Sequence, residues 1–178
     1  TQTSSSNGYA IENYSTYSPK EIYNNDVIIN GASGIRGDKL HIHDNSFTGS
    51  GNIAVNIEGG VDEEVTIENN TLSGLVKIDN STTVDMHHNL VVSSSSGLEI
   101  SNNAGGHFYN NTFAGSGSGT GLYIHDFVLE YQDLYIENNI FDNFDTGVNL
   151  ADPISAIEFN NFNGNNTIST GEGIPQGF

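Results

Sequence analysis

Cysteine is absent from the chain, which excludes disulfides and thiolate-held metal but leaves the redox compartment open. Positive charge is almost as scarce. Four Lys and Arg face 22 Asp and Glu across 178 residues, a formal net charge of −18. A molecule this negative repels nucleic acid and anionic membrane surfaces, so neither is an expected partner. Polyuronates such as pectate or alginate are repelled as well unless a cation bridges the two. No apolar run is long enough to span a bilayer, and no segment shows helical periodicity. The chain starts at Thr1 with neither a methionine nor a signal-like segment, as expected of a mature protein or an excised module. The polar stretch 1–7 would suit a linker remnant.

What is present is a repeat. Seven times an asparagine sits three residues after a large apolar side chain and two before another. The copies are Ile22-Asn25-Val27, Ile42-Asn45-Phe47, Ile67-Asn70-Leu72, Met86-Asn89-Val91, Phe108-Asn111-Phe113, Ile136-Asn139-Phe141 and Ile157-Asn160-Phe162. The register inside the motif is constant while the intervals between copies vary. That combination marks stacked coils joined by loops of unequal length.

Apolar residues alternate within each copy. With the asparagine as zero, position −5 is Leu40, Val65, Val84 and Leu134, and position −3 is always large and apolar. This is the period of a short strand with one buried face. A second strand follows each turn, as in Ile53–Val55, Val76–Ile78, Leu98–Ile100, Leu122–Ile124 and Val148–Leu150, several of them led by glycine (Gly97, Gly121, Gly147).

Short strands, one asparagine per turn and about 22 residues per coil resemble the right-handed parallel β-helix of the pectin-lyase-like superfamily over residues 20–168. The resemblance implies an all-β, single-domain helix of about seven coils stacked about 4.8 Å apart. Residues 1–19 would form an N-terminal segment and cap and 169–178 a C-terminal cap or tail, because open coils expose unpaired edges. Tyr9, Ile11, Tyr14 and Tyr17 are the expected packing residues of the first cap, and Ile174 and Phe178 of the second. The repeat asparagines would form an inward ladder, and Phe47, Phe113, Phe141 and Phe162 a core stack. Neither set is a candidate site.

The positions between them point outward. Position −2 reads Tyr23, His43, Glu68, His87, Tyr109, Glu137, Glu158, and position −4 reads Glu21, His41, Thr66, Asp85, His107, Tyr135, Ala156. Rings that stack on sugar C–H faces, with carboxylates and imidazoles that bond hydroxyls, make a carbohydrate-binding set. The candidate binding residues are Tyr23, His41, His43, Glu68, Asp85, His87, His107, Tyr109, Tyr135 and Glu137. The competing reading is that His and aromatic residues merely suit exposed parallel strands. A weaker one is a metal site from His41, His43, His87 and Asp85. A second outward stripe, Arg36, Asn56, Lys77, Glu99, Tyr123 and Asn149 with His125 beside it, is more mixed. No cofactor is expected, although Asp62-Glu63-Glu64 and the set Asp142, Asp145, Asp152 offer oxygen ligands of the kind calcium takes.

Catalysis finds little support in the residues. Lyases and epimerases of the superfamily need Lys or Arg at the uronate carboxylate, and here the supply is Lys20, Arg36, Lys39 and Lys77. The paired aspartates of polygalacturonase-like hydrolases and the Asp-Pro-His segment of mannuronan epimerases are absent. Gln132-Asp133-Leu134 only partly resembles the Gln-Asp segment of pectin methylesterases. Glu68 and Asp85 could lie at the separation glycoside hydrolysis requires, as pairs on any acidic β-helix could. The expectation is therefore a non-catalytic, monomeric module of a secreted glycan-degrading protein, tethered to a catalytic domain and binding a neutral polysaccharide such as xylan. A small polysaccharide lyase, epimerase or hydrolase is the alternative, and a structural or adhesive β-helix the third reading.

Overall fold

One coil shows how the chain builds the molecule. Along Glu64–Glu68, Val65 and Ile67 are buried while Thr66 and Glu68 face outward. Asn69 then adopts a left-handed backbone (φ 56°) and turns the chain, so that Asn70 points inward at the corner. The short strand Thr71–Ser73 buries Leu72, and Leu75–Asp79 buries Val76 and Ile78. The next coil starts at Thr83.

The computed structural model describes residues 2–5, 8–13, 19–31, 33–50, 52–59, 64–80, 82–126, 133–152 and 154–171. They form three parallel sheets and, among the described residues, no helix. The front sheet holds β3 (Lys20–Tyr23), β6 (Leu40–His43), β9 (Glu64–Glu68), β12 (Thr83–His87), β15 (Gly105–Tyr109), β18 (Leu134–Glu137) and β21 (Ala156–Glu158). The side sheet holds β1 (Gln2–Ser5), β4 (Asp26–Asn30), β7 (Ser46–Gly49), β10 (Thr71–Ser73), β13 (Leu90–Val92), β16 (Thr112–Ala114), β19 (Ile140–Asp142) and β22 (Asn161–Asn163). The back sheet holds β2 (Tyr9–Asn13), β5 (Ser33–Gly37), β8 (Ile53–Glu58), β11 (Leu75–Asp79), β14 (Leu98–Ile100), β17 (Thr120–Ile124), β20 (Thr146–Leu150) and β23 (Thr167–Gly171). The chain visits front, side and back in turn, a right-handed parallel β-helix. About six turns carry it from the first front strand to the last, where the repeat count suggested about seven.

The side sheet is a departure from the two-strand coil expected. The repeat asparagine does not lie within a strand; it stands at a corner between two. The residue before it is left-handed in all seven copies: Asn24, Asp44, Asn69, His88, Asn110, Asn138 and Phe159, with φ of 54–57°. Asparagine and aspartate tolerate that region because their side chains bond locally, whereas His and Phe enter it against a steric cost.

The asparagine ladder spans every coil from Asn25 to Asn160. Asn70 shares its two amide hydrogens among Ile42 O (2.9 Å), Glu68 O (2.8 Å) and Asn89 Oδ1 (2.9 Å). The ladder adds donors at these buried corner carbonyls, Glu68 O also taking the Asp44 N–H at 3.3 Å, as a buried backbone requires. Next to the ladder, Phe113 stacks on Phe141 at 4.8 Å and Phe141 on Phe162 at 5.1 Å. Full burial of one such ring contributes about 2–3 kcal/mol.

Residues before the first motif copy extend the sheets. Gln2 pairs with Val27 and Ile11 with Ile35, adding one rung to the side and back sheets. At the far end Thr167–Gly171 pairs with β20. Tyr14, Tyr17, Ile174 and Phe178, expected to cap the ends, lie outside the described residues.

Candidate binding face on the front sheet

The pleat of the front strands sends alternate side chains outward, and the parallel register sets equal positions side by side. One row runs Glu21, His41, Thr66, Asp85, His107, Tyr135, Ala156. The other runs Tyr23, His43, Glu68, His87, Tyr109, Glu137, Glu158. All ten expected binding residues stand in these two rows on one face.

Their rings stack on one another along the helix axis. Tyr23 lies on His43 (5.1 Å, planes 1° apart), His87 on Tyr109 (4.9 Å, 26°) and His107 on Tyr135 (4.6 Å, 23°). Stacking occupies ring faces and leaves edges toward solvent, so the face is less of an open aromatic platform than its composition suggests. Among the described residues, Tyr23 and Tyr135 each carry a stacked ring on one side only. Tyr23 begins its row and is 52% exposed. Tyr135 is followed only by Ala156, whose methyl covers little of the ring.

Hydrogen bonds hold the polar members. His41 Nε2 is 2.8 Å from Glu68 Oε1, and its Nδ1 is 3.1 Å from Glu21 Oε2. His43 Nδ1 is 2.8 Å from Asp44 Oδ2, and its Nε2 is 2.9 Å from the same Glu21 oxygen. The Asp44 hydrogen bond raises the His43 pKa most; partial burial opposes it, and the Glu21 bond and both charges add to it. For Glu21, desolvation alone would raise the pKa, but hydrogen bonds and charge from His41 and His43 together bring it below the ordinary carboxyl value. The Tyr109 phenol is pushed up by burial first, then by the charge of Asp85, its hydrogen bond to Asp85, and Glu68.

These contacts revise the metal-ligand set expected from the sequence. Among the described residues, the metal-ligating side chains that converge are Glu21, His41 and His43, with donor atoms within 4.8 Å of one another. His87 and Asp85 do not join them. His87 turns instead to His88 (Nδ1–Nδ1 2.9 Å) and, at 3.7 Å, to Glu68. Glu21 was readable as a member of the outward row, but its convergence with both histidines was not.

Two of the acidic residues named for calcium bond the next coil. Asp142 accepts from Asn163 Nδ2 at 2.6 Å and Asp145 from Asn166 Nδ2 at 3.0 Å, both bonds between coils. Asp62 and Glu63 lie outside the described residues.

On the back sheet the expected stripe keeps its register, with one correction. Asn56 is 3% exposed, because Tyr9 and Glu58 close over it and accept from its Nδ2. Arg36 donates to Glu58 and lies 5.3 Å from the Tyr9 ring centroid. Lys77 is 3.7 Å from Asp79 and 3.8 Å from Glu99. Both cations are thus paired within the protein.

Two exposed features were not anticipated. Phe159, left-handed at the last front-sheet corner, is 80% exposed. The side sheet shows Ile28, Leu90, Val92 and Ile140 to solvent, beside a shallow recess of about 200 Å³ lined by Gly49, Ser73, Gly74, Val92, Ser93 and Gly115 among others. Positions +1 and +3 of the repeat carry these four side-sheet residues, and they become legible only once a third sheet is recognised.

The chain matches no protein-family model, no curated protein and no solved structure.

Proposed function

We propose that this β-helix is a non-catalytic carbohydrate-binding module, related in fold to the pectin-lyase-like superfamily, that holds a polysaccharide along its front sheet. The observation that carries the reading is the pair of adjacent rows in which three Tyr–His stacks alternate with carboxylates. Ring edges and acids offer hydrogen bonds to sugar hydroxyls, and the sides of Tyr23 and Tyr135 that bear no stacked ring among the described residues offer stacking positions. Strand-borne side chains already held by neighbours lose little freedom on binding.

The preferred ligand is a neutral hemicellulose of the xylan type. Arg36 and Lys77 are paired on the back sheet, so they do not serve a uronate carboxylate on the front. The net charge of −18 opposes anionic glycans. In this reading the module belongs to a larger secreted glycan-degrading protein and works as a monomer beside a catalytic domain.

Affinity electrophoresis in gels containing xylan, glucan, pectate or alginate tests the proposal. Retardation by a neutral hemicellulose, weakened in Tyr109→Ala and His87→Ala, is the expected result. Unretarded migration in every gel would refute it. Release of reducing or unsaturated ends from any of these polymers would replace it with the enzymatic alternative.

A further inference from the structure

At the N-terminal end of the front sheet, three side chains from two neighbouring strands turn their donor atoms to one point. His41 and His43 are two apart on β6 and therefore share its outer face, and Glu21 stands beside His41 on β3. Glu21 Oε2 lies 3.1 Å from His41 Nδ1 and 2.9 Å from His43 Nε2. Ligands at about 2.0–2.1 Å around a tetrahedral ion are about 3.4 Å apart, so only a small spreading of this group would admit one.

A second feature is independent of that convergence. Each imidazole bonds a different carboxylate through its other nitrogen, His41 Nε2 to Glu68 at 2.8 Å and His43 Nδ1 to Asp44 at 2.8 Å. A carboxylate behind a histidine favours the N–H on its own side, which leaves the inner nitrogen as the cation's ligand and strengthens it as a donor. The rings also touch, His41 on His43 at 4.4 Å and His43 on Tyr23 at 5.1 Å, which restricts their rotation. An accidental surface cluster would not require both outer carboxylates.

We infer that Glu21, His41 and His43 form a binding site for a divalent transition-metal ion of the zinc class. Two imidazoles and one carboxylate suit zinc or cobalt better than calcium, which takes oxygen ligands. Three protein ligands leave a fourth position open, and the surface location puts it within reach of solvent or of a ligand hydroxyl. The ion takes the place of any proton on His41 Nδ1 and His43 Nε2, while the outer nitrogens face Glu68 and Asp44 as donors. The overall charge of −18 favours cation uptake. The site stands whether or not the front sheet binds glycan.

The test uses the tag-free chain, stripped with a chelator and titrated with zinc chloride by calorimetry and with cobalt chloride by visible absorption. One equivalent of zinc should bind, and cobalt should show the intense absorption of a low-coordinate site. His41→Ala and His43→Ala should each weaken zinc binding at least about 100-fold, and Asp44→Asn about 10-fold to 100-fold. His88→Ala should leave it unchanged. Histidine ring resonances of the unsubstituted protein give a readout that needs no variant, and zinc should shift His41 and His43 first. The inference is overturned by zinc binding that survives in the His41→Ala/His43→Ala double variant, by loss of binding in His88→Ala, by calcium binding tighter than zinc, or by unshifted His41 and His43 resonances.

Discussion

The side-chain oxygen of Asn89 accepts both the backbone N–H and the side-chain amide of Asn70, at 3.0 and 2.9 Å. Asn89 in turn donates to Ile67 O, His87 O and Asn111 Oδ1. Removing this amide leaves the buried Asn70 N–H without its acceptor and withdraws a donor from Ile67 O, His87 O and Asn111 Oδ1, and each buried group left unpaired costs about 1–3 kcal/mol. Asn89→Ala should therefore lose about 3 kcal/mol or more in urea denaturation. Asn25→Ala, at the half-exposed start of the ladder, should lose only about 1 kcal/mol. Equal losses would show that the ladder does not act as a buried network.

Phe159 occupies the left-handed corner that Asn or Asp fills in most other coils. A residue with a Cβ is disfavoured there by about 1–2 kcal/mol, Asn less so, and a ring this exposed has little packing to lose. Phe159→Asn should raise stability by about 0.5–1 kcal/mol, measured as a shift in the denaturation midpoint. If the same variant is less retarded by glycan, the strained ring belongs to the binding face, as strained residues at functional sites often do.

Gly106 (φ 119°) precedes His107 on β15, and a Cβ there would meet the carbonyl oxygen of Val84 on β12. Gly106→Ala forces the two central front strands apart in an extended region only glycine favours. A loss of about 2–3 kcal/mol is expected, with weaker glycan retardation from the displaced His107. Native stability in this variant would contradict the close strand approach.

The Glu21–His43 pair has a defined pH signature in chelator-treated protein. His43 is raised above its ordinary 6.5, so its contribution is complete below that value and is lost as pH rises through the raised pKa. Glu21 is lowered below 4.5, so its contribution is complete above that value and is lost as pH falls through the lowered pKa. The pair supports this end of the helix most between about pH 4.5 and 6.5. Histidine NMR should place the His43 midpoint above 6.5, and Asp44→Asn should bring it down, since the Asp44 bond is the largest cause. An unshifted midpoint in Asp44→Asn would assign the effect elsewhere.

The repeat made the front sheet legible almost residue by residue. Once Ile42 and Asn45 face inward, the period of two leaves His41 and His43 no choice but the outer face. The side sheet was hidden because strands such as Thr71–Ser73 and Leu90–Val92 are three residues long, too short for alternation to register. The corners were hidden by chemistry. Asn, Asp, His and Phe all take the same left-handed turn, so no single residue type announces it. Gln2–Ser5 carries no apolar residue, and its strand exists only through pairing with Asp26–Asn30. Within the face, row membership followed from spacing, whereas ring stacking and the Glu21–His41–His43 convergence depend on side-chain torsions that spacing does not encode.

The central claim is that the front sheet is a glycan-binding surface. A titration of the isotope-labelled protein with a xylan oligosaccharide, followed by backbone amide NMR, tests it most directly. The account predicts saturable shifts concentrated in β9, β12, β15 and β18, around Glu68, His87, Tyr109 and Tyr135. Shifts confined to the side-sheet recess near Ser73 and Val92, or none with any neutral hemicellulose oligosaccharide, would contradict it.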